Sequence, residues 1–172
     1  MTNWPAIVAE HRTAVWRTIY RLLNHEADAA DCYQETFLAA YQAVGSGCVS
    51  NWRPFLTSIA ARRAIDRLRA RIRLRERSVS LEGIEDPVAK SATPLQAAAA
   101  SERLEQVRGL LSELPDKQAE IFWLSCVEGL SHRDIGEQLH IQEGDVRVQL
   151  HRARKRLQAA LEPIVLGERK DT

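Results

Sequence analysis

Arginine is concentrated in two separate stretches of this chain, and its side chain is well suited to hold phosphate. Eight arginines lie between Arg62 and Arg77 against two acidic residues, and four arginines with one lysine lie between Arg147 and Arg156 with no acidic residue. The whole chain carries a formal net charge of only +1. Because guanidinium groups bind phosphate through paired hydrogen bonds, two local basic surfaces on a near-neutral chain predict two contacts with a polyanion.

The second basic stretch follows a pattern typical of a helix-turn-helix. Ser131 can cap a short helix that ends near Leu139, and a turn then leads into a last helix from about residue 143. Gly136 would allow the two helices to approach closely. The apolar residues of the last helix recur at spacings of four, three and four, which predicts that they face inward; they are Val146, Leu150, Ala153 and Leu157.

The opposite face of this helix is then exposed and can bind a ligand. Its residues are Arg147, Val148, His151, Arg152, Lys155 and Arg156. An arginine near the start of a helix in the major groove can read guanine through two hydrogen bonds. An ordinary helical hairpin with a basic outer face is the alternative interpretation.

The elements that would position these residues are all helical. Apolar residues at helical spacing predict three helices, at about residues 7–24, 28–44 and 52–72, and four more after residue 96. Asp28 is expected to cap the second helix. Trp52, Phe55 and Ile59 are expected to pack in the core rather than stack on bases. The predicted fold is all-α, with two small helical domains, residues 1–77 and 101–172, joined by a flexible linker at 78–100.

Several function classes are not favoured by this sequence. No apolar run approaches the roughly 20 residues of a membrane span, and Met1 to Ala9 has no signal-peptide pattern. The three cysteines lack a CxxC spacing and the five histidines show no metal-ligand spacing. There is no glycine-rich phosphate loop. We therefore expect a cytoplasmic protein that is not an enzyme, with no catalytic residue, metal or cofactor.

Two motifs together carry a resemblance to a known family. The first is DAADCYQETFL at residues 28–38 with WRPFLTSIAARRAIDRLR at 52–69, and the second is LPDKQAEIF at 114–122 with EGLS at 128–131 and HRARKRL at 151–157. In this order and spacing they resemble regions 2 and 4 of the bacterial sigma factors of RNA polymerase, specifically the extracytoplasmic-function (ECF) group of the sigma-70 family. Together they cover nearly the whole chain.

The resemblance implies roles for particular residues. Asp31, Gln34 and Glu35 fall where the family contacts a coiled coil of the polymerase β′ clamp. The loop from Val44 to Asn51 resembles the segment that captures a flipped base of the −10 element. The residues implied to bind −10 DNA are Asn51, Arg62, Arg63, Arg67 and Arg69, and those implied to bind the −35 element are Arg147, Val148, His151, Arg152 and Lys155. Asp145, Val148 and Gln149 depart from the family's usual threonine, serine and basic residue.

The implied function is to direct RNA polymerase to specific promoters and to open the −10 element. The implied partners are core RNA polymerase, through its β′ clamp coiled coil and β flap, promoter DNA, and an anti-sigma factor, with no direct insertion into a membrane. Two alternatives stay open from the residues alone. A stand-alone helix-turn-helix regulator would bind DNA without polymerase, and a helical protein–protein adaptor would not bind DNA at all.

Overall fold

The computed structural model describes residues 2–44, 49–79 and 96–168, and every regular element within them is an α-helix. In chain order these are α1 (Trp4–Leu23), α2 (Glu26–Val44), α3 (Trp52–Val79), α4 (Gln96–Glu113), α5 (Asp116–Cys126), α6 (His132–Leu139) and α7 (Glu143–Glu168). The predicted all-α fold is confirmed. Residues 80–95, most of the predicted linker, lie outside the described residues, and α4 already begins within the range assigned to that linker.

The first three helices form one body around the buried face of α1. Val15, Ile19 and Leu22 recur at spacings of four and three and are fully buried, as a helix with one apolar face requires. They pack with the inner face of α3, whose buried residues include Leu56, Ala60, Ala64 and Leu68. The small alanines on α3 allow its backbone to approach α1 closely.

An aromatic cluster joins the start of α1 to the end of α2 and the start of α3. The Trp4 ring lies 5.3 Å from Tyr41 and 5.4 Å from Trp52, and Trp52 lies 6.0 Å from Phe55, all as centroid distances. Trp52, Phe55 and Ile59 are partly buried against the core. The expectation that these three side chains pack rather than project is therefore confirmed.

The start of α2 differs from the expectation. The helix begins at Glu26, and the His25 Nδ1 atom accepts a hydrogen bond of 3.2 Å from the Asp28 N–H. His25 therefore occupies the capping position, Asp28 lies inside the helix as its third residue, and the prediction that Asp28 caps α2 is wrong. Asp28 lies in the first turn, where its charge is favourable to the helix dipole, and its carboxylate pairs with Arg71 at 3.6 Å.

The helix-turn-helix is formed by α6 and α7. Ser131 Oγ accepts the Asp134 N–H at 3.1 Å and so caps α6, as predicted. His140 ends α6 in the left-handed conformation, with φ of 53°. The inner face of α7 is the predicted one, since Val146, Leu150 and Ala153 are all buried.

Gly136 is the point of closest approach in this motif. A Cβ atom at this position would lie 2.8 Å from the carbonyl oxygen of Ile141 in the turn. Since that neighbour is backbone, it cannot rotate away as a side chain would. The expected close approach is confirmed, and the glycine is what allows the turn to close on α6.

The N-terminal and C-terminal halves pack against each other along α3. Helices α4, α5 and α6 all contact α3, and buried residues from both halves, among them Leu68, Leu111 and Ile121, belong to one core cluster. Within the described residues no buried polar side-chain atom lacks a hydrogen-bond partner. None of the described helices is long and apolar enough to cross a membrane.

We predict that Gly136→Ala destabilises the protein by about 1–3 kcal/mol, because the added methyl must displace backbone. Urea denaturation measures this difference. Gly109→Ala is the matched control, since a Cβ there meets nothing within 4 Å, and within a helix such as α4 alanine should be more stable than glycine by up to about 1 kcal/mol. Equal effects of the two changes would contradict the packing argument.

Candidate nucleic-acid interface

The outer face of α7 is a basic surface with one exposed apolar residue. The predicted residues Arg147, Val148, His151, Arg152 and Lys155 are all exposed. Val148 keeps 47% of its surface exposed, so its methyl groups are accessible to a ligand beside the basic side chains. The structure therefore brings the whole predicted −35 set onto one side of one helix.

Arg147 is held by an ion pair that costs little to break. Its guanidinium contacts the Glu143 carboxylate one turn earlier on α7, with both side chains largely exposed to solvent. Exposed pairs at this spacing are worth about 0.3–0.5 kcal/mol. The pair orients the arginine at the start of α7 and leaves it available for a base edge or a phosphate.

A series of side-chain hydrogen bonds holds α7 against α5, and the sequence did not predict it. The Gln118 amide on α5 is buried, and its Nε2 donates to Gln149 Oε1 at 3.0 Å. In turn the Arg156 guanidinium donates to Gln118 Oε1 at 3.1 Å. Since both partners lie on α7, Gln118 sets the rotation of that helix and thereby which side chains face outward.

On the N-terminal body, the predicted polymerase-binding residues lie on the exposed side of α2. Asp31, Gln34 and Glu35 are all exposed. The two carboxylates are paired with arginines of α3, because Arg67 lies 3.5 Å from both Asp31 and Glu35, and Arg63 lies 3.2 Å from Glu35. The structure thus pairs α2 carboxylates, which the sequence resemblance assigns to polymerase, with α3 arginines, which it assigns to −10 DNA.

The arginines implied to bind −10 DNA do not form one surface. Arg62 is exposed, as is Asn51, whereas Arg63 and Arg67 face the α2 carboxylates. Arg69 points to the other half of the molecule, where its side chain is only 12% exposed. Residues 45–48 of the loop implied to capture a base lie outside the described residues.

A buried carboxylate lies where α5 meets α3. Glu120 Oε1 accepts a hydrogen bond of 3.0 Å from the Ser58 hydroxyl, and both residues are buried. Burial raises the pKa of Glu120 above its ordinary value, the Ser58 hydrogen bond and the nearby Arg62 lower it, and Asp66 and Asp116 raise it. No feature of the local sequence separates Glu120 from the exposed glutamates.

Two family models match this chain. Residues 7–74 match the model described as sigma-70 region 2, and residues 104–157 match the model described as sigma-70 region 4. The first match covers most of α1, all of α2 and most of α3, and the second runs from within α4 to the middle of α7. Each match therefore contains one of the surfaces described above.

Several characterised proteins are similar in sequence over nearly the whole chain. The ECF RNA polymerase sigma factor SigE of Mycolicibacterium smegmatis is 30% identical over 157 residues, which cover 91% of this chain and 61% of SigE. SigW of Bacillus subtilis is 29% identical, with 90% of this chain and 87% of SigW covered. SigL of Mycobacterium tuberculosis is 30% identical, with 92% and 89% covered. The chain thus spans less than two thirds of SigE but most of SigW and SigL.

Two solved structures share the fold. The sigma factor RpoE of Bartonella quintana, solved with the anti-sigma factor NepR, has a TM-score of 0.57 at 22% identity, covering 94% of this chain and 98% of RpoE. CnrH, solved with the cytosolic domain of CnrY, has a TM-score of 0.59 at 22% identity, covering 93% and 88%. At this identity the likeness concerns the fold alone.

We predict that Glu120 makes stability depend on pH. A carboxyl whose folded pKa is raised contributes stability that is fully present below its ordinary pKa and is lost as pH rises through the raised value. The unfolding free energy of Glu120→Gln relative to that of the natural protein should therefore increase as the pH rises above the ordinary glutamate pKa of about 4.3. Ser58→Ala removes a contact that lowers the pKa and should shift the loss of stability to higher pH. A pH-independent difference for Glu120→Gln would contradict the assignment.

Proposed function

This chain belongs to the ECF group of the sigma-70 family of RNA polymerase sigma factors, and we propose that it directs RNA polymerase to specific promoters and initiates transcription by opening the −10 element. The observation that carries this function is that regions 2 and 4 occur in one chain, in that order. A stand-alone helix-turn-helix regulator would need only the second, and an adaptor for proteins would need no basic recognition face. Neither alternative is favoured.

Region 4 contacts the −35 element through α7. The exposed residues at the start of the helix supply both kinds of contact that the major groove offers. Arg147 can donate two hydrogen bonds to guanine, and Val148 can contact a thymine methyl but can donate nothing. Arg152 and Lys155, one to two turns later, supply charge for phosphate. Asp145 lies in the first turn of α7, where it stabilises the helix dipole and repels phosphate.

Region 2 binds polymerase through the acidic side of α2. Asp31, Gln34 and Glu35 present acceptors within one helical turn, which suits a basic partner such as the β′ clamp coiled coil. The β flap is the proposed contact for region 4. Because Arg63 and Arg67 share the same carboxylates, a basic coiled coil that takes Asp31 and Glu35 releases both arginines for the DNA backbone. Each such exposed pair costs about 0–1 kcal/mol to break.

Binding to RNA polymerase also bears on catalysis, cellular location and further partners. Polymerase supplies the chemistry, so this chain needs no catalytic residue or cofactor and is not an enzyme. Its place is the cytoplasm, where polymerase and promoters are. RpoE and CnrH were solved with NepR and with the cytosolic domain of CnrY, and an anti-sigma factor is the corresponding partner proposed here.

We predict that Asp31→Ala combined with Gln34→Ala abolishes binding to core polymerase and leaves the helical circular-dichroism signal and thermal unfolding unchanged, because both side chains are exposed. The matched control is Glu10→Ala with Gln42→Ala, which removes an exposed carboxylate and an exposed amide elsewhere on the same body. Co-purification with core polymerase and run-off transcription report the result. A double variant that assembles with wild-type affinity would show that polymerase docks elsewhere.

We predict that Arg147→Ala broadens the −35 preference in a promoter library, since losing a bidentate base contact costs about 1–3 kcal/mol at that base pair. Arg62→Ala is the comparison. An exposed arginine that contacts only the DNA backbone carries no base preference, so its loss should lower transcript yield from all promoters and leave the preferred −35 sequence unchanged. An unchanged −35 preference in Arg147→Ala would mean that another face of α7 reads the DNA.

A further inference from the structure

The buried amide of Gln118 contacts α7 at two residues that lie two helical turns apart. Its Nε2 donates to Gln149 Oε1 at 3.0 Å, and its Oε1 accepts from a terminal nitrogen of Arg156 at 3.1 Å. Because a guanidinium can only donate, Arg156 fixes which side of the Gln118 amide is the oxygen. The nitrogen of that amide then faces Gln149, which must present its own oxygen to α5. The three side chains therefore have one mutually consistent arrangement.

The helix that carries Gln118 is firmly anchored. Gln118 lies near the start of α5, and Ala119 and Ile121 beside it are fully buried. Glu120 of the same helix bonds Ser58 of α3. Since α5 is fixed in the core, its amide can act as a reference point against which α7 is held.

On α7 the two partners of Gln118 border the inward apolar stripe. Gln149 is half-buried, whereas Arg147 and Val148 before it are exposed. Gln149 is also a position at which this chain departs from the basic residue usual in its family. A lysine or arginine there would offer no acceptor to the Gln118 nitrogen. Gln118 and Gln149 are therefore matched to each other, and Gln149 is directed toward α5 rather than toward DNA.

A small rotation of α7 would disturb base contacts severely. A side-chain tip lies about 5–6 Å from the helix axis, so a rotation of about 20° moves it by about 2 Å. The length of a hydrogen bond varies by only about 0.5 Å. Apolar contacts are not directional, so the buried stripe of α7 restrains such a rotation less strictly than paired hydrogen bonds do. The Gln118 amide supplies the directional restraint.

We propose that Gln118 is a positioning residue for recognition of the −35 element, and that it acts with Gln149 and Arg156 as one unit. The inference rests on the proposed function, because it concerns how α7 meets the −35 base pairs. Gln118 is buried and its two partners are turned toward it. The unit therefore affects the preferred sequence by setting the direction in which Arg147 and Val148 point.

The first experiment uses the full chain with core polymerase and a promoter library randomised at the −35 element. Gln118→Met keeps an unbranched side chain in the buried site and removes both hydrogen bonds. The ratio of transcripts from preferred and single-mismatch −35 sequences should fall by about fivefold or more, which corresponds to one hydrogen bond. Binding to core polymerase, the −10 preference and the helical circular-dichroism signal should stay unchanged. The matched control, Gln106→Met, makes the same change in α4 and should leave the ratio unchanged.

Gln118→Glu is the rescue variant. Its carboxylate can accept from Arg156 and also from the Gln149 nitrogen once that amide has turned over, so the natural −35 preference should return. Gln149→Met should lower the ratio as Gln118→Met does. The double variant should be no worse than either single variant, because residues that act as a unit are not additive. Additive losses would show that Gln149 contacts DNA by itself and would overturn the inference.

A Gln118→Met protein with the natural −35 preference would equally overturn the inference, as would a loss that Gln118→Glu does not restore or that Gln106→Met shares. The proposed function would survive these results, because the natural protein would still select promoters. If the natural protein itself gives no promoter-dependent transcript, the proposed function fails instead. Hydrogen exchange in the free protein then still tests the contact. The α7 amides should exchange faster in Gln118→Met than in Gln106→Met, and equal rates would contradict the positioning role.

Discussion

The carbonyl groups at helix ends need donors, and in this chain the ends of α1 and α4 obtain them from each other's half. Arg108 reaches the last turn of α1, and Arg69 reaches the last turn of α4 and the residue that follows it. A guanidinium suits this task because its planar fork can serve two acceptors while remaining charged. The packing of α3 against α4 and α5 places both arginines, and the two arginines in turn fix how the halves meet.

The outer face of α7, proposed above to read the −35 element, depends on a second constraint, which is internal to the C-terminal half. Gly136 lets the turn after α6 close on the helix, and the buried stripe of α7 then fixes which residues face outward. Gln118 adds a polar restraint through Gln149 and Arg156. Apolar burial supplies most of the stability of such a motif, while the buried amide specifies the rotation of α7, since a rotated helix would leave that amide without partners.

Local patterns were enough to predict the helices, the inner face of α7, the Ser131 cap and the role of Gly136, because each depends on residues within a few turns of one another. The cap of α2 was assigned wrongly to Asp28, since an imidazole that accepts a hydrogen bond is not among the usual capping groups. The contacts of Arg69, Arg108 and Glu120 could not be predicted. Their partners lie 43, 87 and 62 residues away along the chain, and only the packing of the two halves brings them together.

Part of the positive charge of α3 is paired with carboxylates of the same protein. On the N-terminal body, α3 arginines and α2 carboxylates neutralise one another, and Arg69 is neutralised by Asp116 across the interface. This pairing lowers the positive charge on the α2 side of α3, whereas Arg62, Arg73 and Arg75 stay exposed, and non-specific binding to DNA depends on such exposed charge. Under the function proposed above, a partner that pairs with the α2 carboxylates would release Arg63 and Arg67 for DNA. Polymerase and promoter would then bind cooperatively through residues that touch one another, with no change of backbone required at that point.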